Sequence, residues 1–215
     1  ELELIDSDPL ADLDRLVLLA ADICGADLAC FTVHDGTTAH EISSSFDPRA
    51  TMPKLECMCS IPLASGQSLH VADASADKRL AAARYVAGAP FVHSFMAVPV
   101  GIDPGLPVGV LAAGDAEPGK FSAREMARLT KVSELVAAFL GQRRAAIRAT
   151  RAAQTTEAER QRQGVGHRRQ DVGVDDALRH EDLGRRGGAA AQRVGVQRRI
   201  GGLAYRSGEA LDDLD

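Results

Sequence analysis

The stretch that decides the fold is His93–Asp115, which reads HSFMAVPVGIDPGLPVGVLAAGD. It contains two apolar segments, His93–Gly101 and Pro107–Asp115, separated by Asp103–Gly105, whose Asp-Pro-Gly sequence is typical of a turn. Nearly every residue in both segments is apolar, a pattern that indicates strands covered on two faces. The stretch therefore predicts two central strands of a sheet with other elements packed on both sides.

Upstream of these strands, the sequence predicts a helix and a β-hairpin. Pro9–Gly25 has apolar residues at spacings of three and four, which predicts an amphipathic helix with Asp8 as its N-cap and the glycine as its stop. Leu28–His34 and Thr37–Phe46 have extended character and flank Asp35-Gly36, a tight-turn signal.

The remaining segments complete an α+β pattern. Prolines make Asp47–Gly66 a loop, Ser68–Ala72 is a predicted short strand, and Ser75–Tyr85 is a predicted short helix. A long helix begins at Ser122, where Glu125 three residues later forms a capping-box pattern. Because hairpin-linked strands outnumber the helices between them, we expect an α+β domain with a largely antiparallel sheet, flanked by the first and last helices.

Composition excludes several classes of protein. The 215 residues carry a formal net charge of −5, which argues against a protein that coats nucleic acid by neutralising phosphates. No apolar stretch is long enough to span a bilayer, so we expect no membrane partner. The four cysteines include the pair Cys57 and Cys59, whose spacing is poor for a mutual disulfide, so we expect a reducing, cytoplasmic location.

The composition changes near residue 150. Residues 1–150 carry 13 basic and 19 acidic side chains and contain every Pro, Lys, Cys and Met, whereas residues 151–215 carry 12 Arg and 11 acidic side chains. The second part has few large apolar residues, which predicts disorder or partial helix. We therefore expect a domain over 8–141, an exit helix or linker over 142–160 and a tail over 161–215.

The tail and the ends of the chain allow further hypotheses. In a chain so rich in Ala, Arg and Gly, the stretch 161–215 also resembles an out-of-frame translation, which reading the gene in its other two frames would test. Because the first residue is Glu1, we expect a fragment or processed product. The exit helix either pairs in a parallel homodimer or lies in solvent. Both alternatives stay open, because its heptad repeats are not sustained.

Six short motifs follow one another between Leu13 and Leu140. They are a Phe-Cys-like pair at Met58-Cys59, V-x-D-A-x-x-D-x-R at Val71–Arg79, V-x-G at Val86–Gly88, an aromatic strand ending in Pro at Ser94–Pro99, G-x-L-x-x-x-D at Gly109–Asp115, and F-S-x-x-E at Phe121–Glu125. Their order and spacing resemble the GAF domain family of bacterial sensors.

The resemblance implies a six-stranded antiparallel sheet with a small-molecule pocket on one face and no chemistry of its own. Such domains precede a histidine kinase, a diguanylate cyclase or another signalling effector, so the chain resembles the N-terminal part of such a sensor. The sequence lacks the Cys-His and Asp-x-Cys-Phe patterns of covalent bilin attachment and has no Asn for the cyclic-nucleotide pattern. No covalent bilin is expected, and the cofactor and ligand stay open.

Several residues are candidate ligand contacts. We expect the pocket on the inner faces of the strands under Cys57–Leu63, although core packing is the preferred interpretation for Phe31 and Leu111. Asp73 could instead cap backbone N–H groups, and Cys57 with Cys59 could form a thiol switch. The candidate ligand-binding residues are Phe31, Met58, Cys59, Asp73, Tyr85, Phe95, Met96 and Leu111.

Catalysis and metal binding find no motif. The sequence has no Gly-x-Ser-x-Gly, no phosphate-binding loop ending in Gly-Lys-Ser/Thr and no His-Glu-x-x-His, so we expect neither catalytic residues nor a metal site. The sequence thus predicts a ligand-sensing module of a two-component signalling system. The alternative is an interaction or dimerisation domain without a ligand.

Overall fold

The structure is a computed structural model that describes residues 2–5, 8–46 and 49–183, with side chains to residue 162. The chain divides into two compact units, 1–157 and 158–215. The first unit contains the sheet and its covering helices. The described part of the second is a continuation of the last helix.

Six antiparallel strands form one sheet within the described residues, in the order β3-β2-β1-β6-β5-β4. Two long strands meet at the turn that Asp103–Gly105 predicts, where Gly105 has a φ of 77° that suits glycine. The strands are β1 Leu28–Asp35, β2 Thr38–Ser44, β3 Thr51–Pro53, β4 Leu69–Val71, β5 Ser94–Asp103 and β6 Leu106–Asp115.

Four α-helices and one short 3₁₀ helix lie in the described part of the chain. The first helix ends at Gly25 as predicted, with a φ of 60°. Its N-cap is Leu10, without a capping side chain, so the prediction of Asp8 as N-cap was wrong. The helices are α1 Ala11–Cys24, the 3₁₀ helix Lys54–Glu56, α2 Ser60–Ser65, α3 Arg84–Ala87 and α4 Ala123–Leu183.

The sheet is buried on both faces, as the apolar strands β5 and β6 predict. One face packs against α1 and α4 and forms what we call the helix-side core. The other face packs against the segments between β3 and β5 and forms the loop-side core. Alternation along each strand divides neighbouring side chains between the two cores, so Phe95 belongs to the loop side and Met96 to the helix side.

The predicted loop over 47–66 contains short elements that the sequence pattern missed. β3 adds an edge strand to β2 through the pairs Thr38 with Pro53 and His40 with Thr51. A proline is tolerated here because an edge strand needs fewer N–H donors. This strand completes the six-stranded sheet that the family resemblance implies.

The predicted helix over Ser75–Tyr85 was wrong, since this segment forms successive turns and only Arg84–Ala87 is helical. The Asp73 carboxylate accepts hydrogen bonds from the backbone N–H and hydroxyl of Ser75, at 3.0 and 2.6 Å. The Asp77 carboxylate accepts the backbone N–H of Arg79 at 2.9 Å. Local side-chain acceptors of this kind compete with helical hydrogen bonding.

The capping box at the start of α4 is confirmed. The Glu125 carboxylate accepts the backbone N–H of Ser122 at 3.0 Å, and the Ser122 hydroxyl accepts the N–H of Arg124 at 3.1 Å. The helix then packs on the sheet through Leu129, Val132, Val136 and Leu140, after which its described side chains become largely exposed.

The last helix continues beyond the predicted exit segment at 142–160. It reaches Leu183, and residues 184–215 lie outside the described residues, so the nature of the segment 161–215 stays a prediction. Arg144 holds the helix to the β5–β6 turn through Asp103, at 2.9 Å. None of the described helices combines the length and apolar character needed to cross a membrane.

Candidate functional site

A small apolar cavity lies in the loop-side core, between the sheet and the segments that cover it. Its volume is about 40 Å³, room for a few water molecules. Phe46, which is 42% exposed, forms part of its wall. The lining residues used below are Leu28, Cys30, Glu41, Phe46, Met58, Tyr85, Val92 and Phe95.

One buried carboxylate faces this apolar cavity. Glu41 on β2 is 9% exposed, it accepts the backbone N–H of Ala50 at 3.0 Å, and Tyr85 is its neighbour in the cavity wall. Burial raises the pKa of Glu41, and the Ala50 N–H and the Tyr85 hydroxyl offset only part of this shift. Burial and the neighbouring Glu41 likewise raise the pKa of Tyr85. A carboxylate held at this cost among apolar side chains is typical of a binding site.

Three thiols form a cluster behind the cavity. The side chain of Cys59 contacts the thiols of both Cys57 and Cys30, and the Cys30 sulfur lies 3.6 Å from the Thr32 hydroxyl. The Cys59 thiol and the neighbouring His34 imidazole lower the pKa of Cys57, whereas its two thiol neighbours and its burial raise the pKa of Cys59. Cys57 is therefore the member of the cluster that most readily forms a thiolate.

The structure brings three of the predicted site residues together at the cavity, namely Met58, Tyr85 and Phe95. Cys59 is buried next to Met58 in the loop-side core. Asp73 does not line the cavity: it lies in the turn described above, with its carboxylate 3.9 Å from the His93 imidazole.

The other three predicted residues lie on the opposite face of the sheet. Phe31, Met96 and Leu111 are fully buried in the helix-side core and are separated from the cavity by the sheet itself. For Phe31 and Leu111 this placement agrees with the core interpretation that the sequence favoured. A role in ligand binding stays a prediction for all eight residues.

Sequence reasoning missed Glu41 and Cys30, which line the cavity. Both lie in predicted strands, and alternation places Cys30 opposite in direction to its neighbour Phe31. The signal for Glu41 was its spacing from Ala39. Residues two positions apart in a strand lie on the same face, and Ala39 is buried, so Glu41 also points inward. Within the described residues, no group of His, Cys, Asp and Glu side chains is arranged to hold a metal ion.

We expect Glu41→Gln to stabilise the domain at neutral and alkaline pH, by on the order of 1 kcal/mol. The folded-state pKa of Glu41 is raised, so ionised Glu41 destabilises the folded state above that pKa. As the pH falls through this pKa, the wild-type carboxyl becomes protonated, and the difference in stability between the wild type and Glu41→Gln disappears. Urea unfolding between pH 4 and about pH 8 measures this. Glu117→Gln removes an exposed carboxylate and is the control, and an equal gain from both variants would contradict the prediction.

Comparison with known proteins places this architecture in a family. A family model described as GAF domain matches residues 9–140. The GAF domain of an Acinetobacter phosphoenolpyruvate-protein phosphotransferase aligns with a TM-score of 0.54 at 20% identity, over 67% of this chain and 90% of that one. No curated protein matches the sequence significantly.

Two enzymes have a similar fold. The free methionine-R-sulfoxide reductase of Neisseria meningitidis, solved with its substrate, aligns with a TM-score of 0.52 at 18% identity, over 69% of this chain and 86% of that one. The type II enzyme of Thermoplasma acidophilum aligns with a TM-score of 0.52 at 16% identity, over 61% of this chain and 92% of that one. Identities this low show a common fold only. Since the family model covers more than half of the sequence, this chain belongs to the GAF domain family.

Proposed function

We propose that this GAF domain is a ligand-sensing regulatory module that binds a small molecule in the loop-side cavity. The observation that carries the proposal is the buried Glu41 carboxylate, which faces an otherwise apolar cavity and is only partly compensated by hydrogen bonds. A ligand with an apolar body and one hydrogen-bond donor, most favourably an ammonium group, would pair with Glu41 and fill the space among Met58, Tyr85 and Phe95.

The sheet supplies a route from the cavity to the last helix. On β1, Cys30 lines the cavity while the adjacent Phe31 lies in the helix-side core. The same core contains Leu129 and Val136 of α4. A ligand that displaces β1 would therefore change how α4 packs, and the helix would carry the change to a downstream effector, such as a kinase or a cyclase, or to a second copy of the chain.

Methionine methyl NMR with two matched probes tests ligand binding. We expect benzylamine to shift the methyl signal of Met58, which lines the cavity, more than that of Met126 on α4, which would sense only the change in helix packing. Toluene has a similar body without the ammonium group, so it should bind more weakly. Glu41→Gln should weaken benzylamine binding by about tenfold and leave toluene binding unchanged, because only the amine makes a charge-assisted hydrogen bond.

The rival functions give different results. A dimerisation domain without a ligand would show an intact dimer in native mass spectrometry and no Met58 shift with either probe. A reductase would turn over free methionine-R-sulfoxide with dithiothreitol as the reductant. We expect no such turnover, because the thiol with the lowered pKa, Cys57, does not line the cavity. Turnover that Cys57→Ser or Cys30→Ser abolishes would contradict the proposal.

The compartment we propose is the cytoplasm. All four cysteines are free thiols, and the Cys57–Cys59 cluster would be retained in this form by a reducing environment.

A further inference from the structure

Cys57 is one of the residues that line an open groove on the surface of the loop-side layer. The groove has a volume of about 670 Å³ and is separate from the cavity that Glu41 faces. Its walls include Lys54, Ser60, Ile61 and Arg79. Cys57 lines this groove and keeps 8% of its surface exposed, a small opening that favours a molecule of the size of a peroxide over a larger reagent.

The backbone holds Cys57 and Cys59 side by side. The carbonyl oxygen of Cys57 accepts the N–H of Ser60 at 3.1 Å, and that of Cys59 accepts the N–H of Leu63 at 3.2 Å, at the start of α2. Both residues are fixed in one turn and belong to the same buried cluster, where each thiol shifts the pKa of the other. The pair therefore has one cysteine that lines the groove and a second, 3% exposed, two positions away in the same turn.

The groups around Cys57 favour its thiolate. The neighbouring Cys59 and His34 side chains lower the pKa of Cys57. Both ring nitrogens of His34 are buried and have no hydrogen bond of good geometry. The negative charge of Glu41 opposes the formation of a thiolate on Cys57, because like charges repel. A thiolate reacts with peroxides far faster than a thiol does, which separates Cys57 from the buried Cys24, whose pKa burial raises to about 11.

We propose that Cys57 is a peroxide-reactive thiol and Cys59 its resolving partner, so that a small hydroperoxide entering the groove converts the pair into a disulfide across Met58. This proposal is independent of ligand binding at Glu41.

The reaction balances with hydrogen peroxide as the oxidant. The Cys57 thiolate attacks one peroxide oxygen, the O–O bond breaks, and the departing hydroxide takes a proton to become water, leaving a sulfenic acid on Cys57. The Cys59 sulfur then attacks the Cys57 sulfur, the S–O bond breaks, and the hydroxyl leaves with the Cys59 proton as a second water. Two thiols are oxidised to one disulfide and one peroxide is reduced to two waters.

The Cys57–Cys59 disulfide would be easily reduced and would alter the wall of the cavity. A disulfide across a single residue is strained, and strained disulfides are more easily reduced, which suits a reversible modification. It would also break the contact of Cys59 with Cys30 and constrain Met58. Since Cys30 and Met58 both line the cavity, oxidation would change the shape of its wall.

Mass spectrometry of the full chain treated with hydrogen peroxide tests the proposal. We expect the loss of two hydrogen atoms, a peptide map that joins Cys57 to Cys59, and recovery of the original mass with dithiothreitol. Cys57→Ser should slow thiol loss by at least about tenfold. Cys24→Ser, which removes a thiol on the opposite face of the sheet, is the matched control and should react like the wild type.

A second variant separates reactivity from misfolding. Cys59→Ser removes the resolving thiol and should let dimedone trap a sulfenic acid on Cys57, while circular dichroism confirms that both variants are folded. The proposal is overturned by a wild-type rate in Cys57→Ser, by disulfides only between chains, or by oxidation of Cys57 without a Cys57–Cys59 bond.

Discussion

Gly109→Ala is expected to destabilise the domain by about 3 kcal/mol, toward the upper end of the usual cost of overpacking a core. Gly109 lies in β6, directly beside β1. An added Cβ would lie 2.5 Å from Cζ of Phe31 and 2.8 Å from the carbonyl oxygen of Thr32. The ring is fully buried and the carbonyl belongs to the sheet, so neither can move aside without a shift of the strand.

Chemical unfolding measures this effect, with Gly141→Ala as the matched control. Gly141 lies inside α4, and the nearest atom to an added Cβ, Cγ2 of Ile102, is 3.7 Å away. The same chemical change should therefore stabilise there by about 0.5–1 kcal/mol, the usual advantage of Ala over Gly within a helix. A loss of less than about 1 kcal/mol in Gly109→Ala would show that β6 yields to the methyl group.

The second large effect is expected for Phe31→Ala, which should cost about 3–5 kcal/mol. The Phe31 side chain is completely buried between the sheet and the helices α1 and α4, so its removal leaves a cavity in the helix-side core. Phe91→Ala is the control, because Phe91 is 55% exposed and its truncation should change stability by less than about 0.5 kcal/mol. Equal effects of the two truncations would contradict the placement of Phe31 in this core.

The two substitutions should also be coupled. Removal of the Phe31 ring takes away the closest contact of a Cβ at position 109 but leaves the carbonyl oxygen of Thr32 in place. In a double-mutant cycle, the combined loss should therefore be smaller than the sum of the single losses by about 1 kcal/mol or more. Additive losses would show that the backbone contact alone determines the cost at Gly109.

Local patterns predicted the elements whose hydrogen bonds close within a few residues. The stop of α1 at Gly25, the turn before Gly105 and the capping box of Ser122 and Glu125 are confirmed, because each depends only on neighbouring residues. The prediction of a helix over Ser75–Tyr85 was wrong for a related reason. Its apolar spacing suits a helix, but the short acidic side chains of Asp73 and Asp77 bind nearby backbone N–H groups instead.

The candidate site was only partly predictable. Met58, Tyr85 and Phe95 come from three separate segments, and the sequence named them without showing that they meet. Glu41 was missed because an acidic residue in a predicted strand is normally placed on the solvent side. Its burial depends on the edge strand β3 and on the Tyr85 hydroxyl, which no local pattern joins to β2.

The sequence by itself determined the α+β class, the central apolar strands and the family, since hydrophobic periodicity, turn residues and motif order are properties of the chain alone. Only the tertiary structure decided which face of the sheet each of these side chains occupies. Phe95 and Met96 are adjacent in sequence and equally apolar, yet one faces the cavity and the other the helices. Strand alternation separates such neighbours, but the packing of α1 and α4 on one face decides which side is left for a ligand and a reactive thiol.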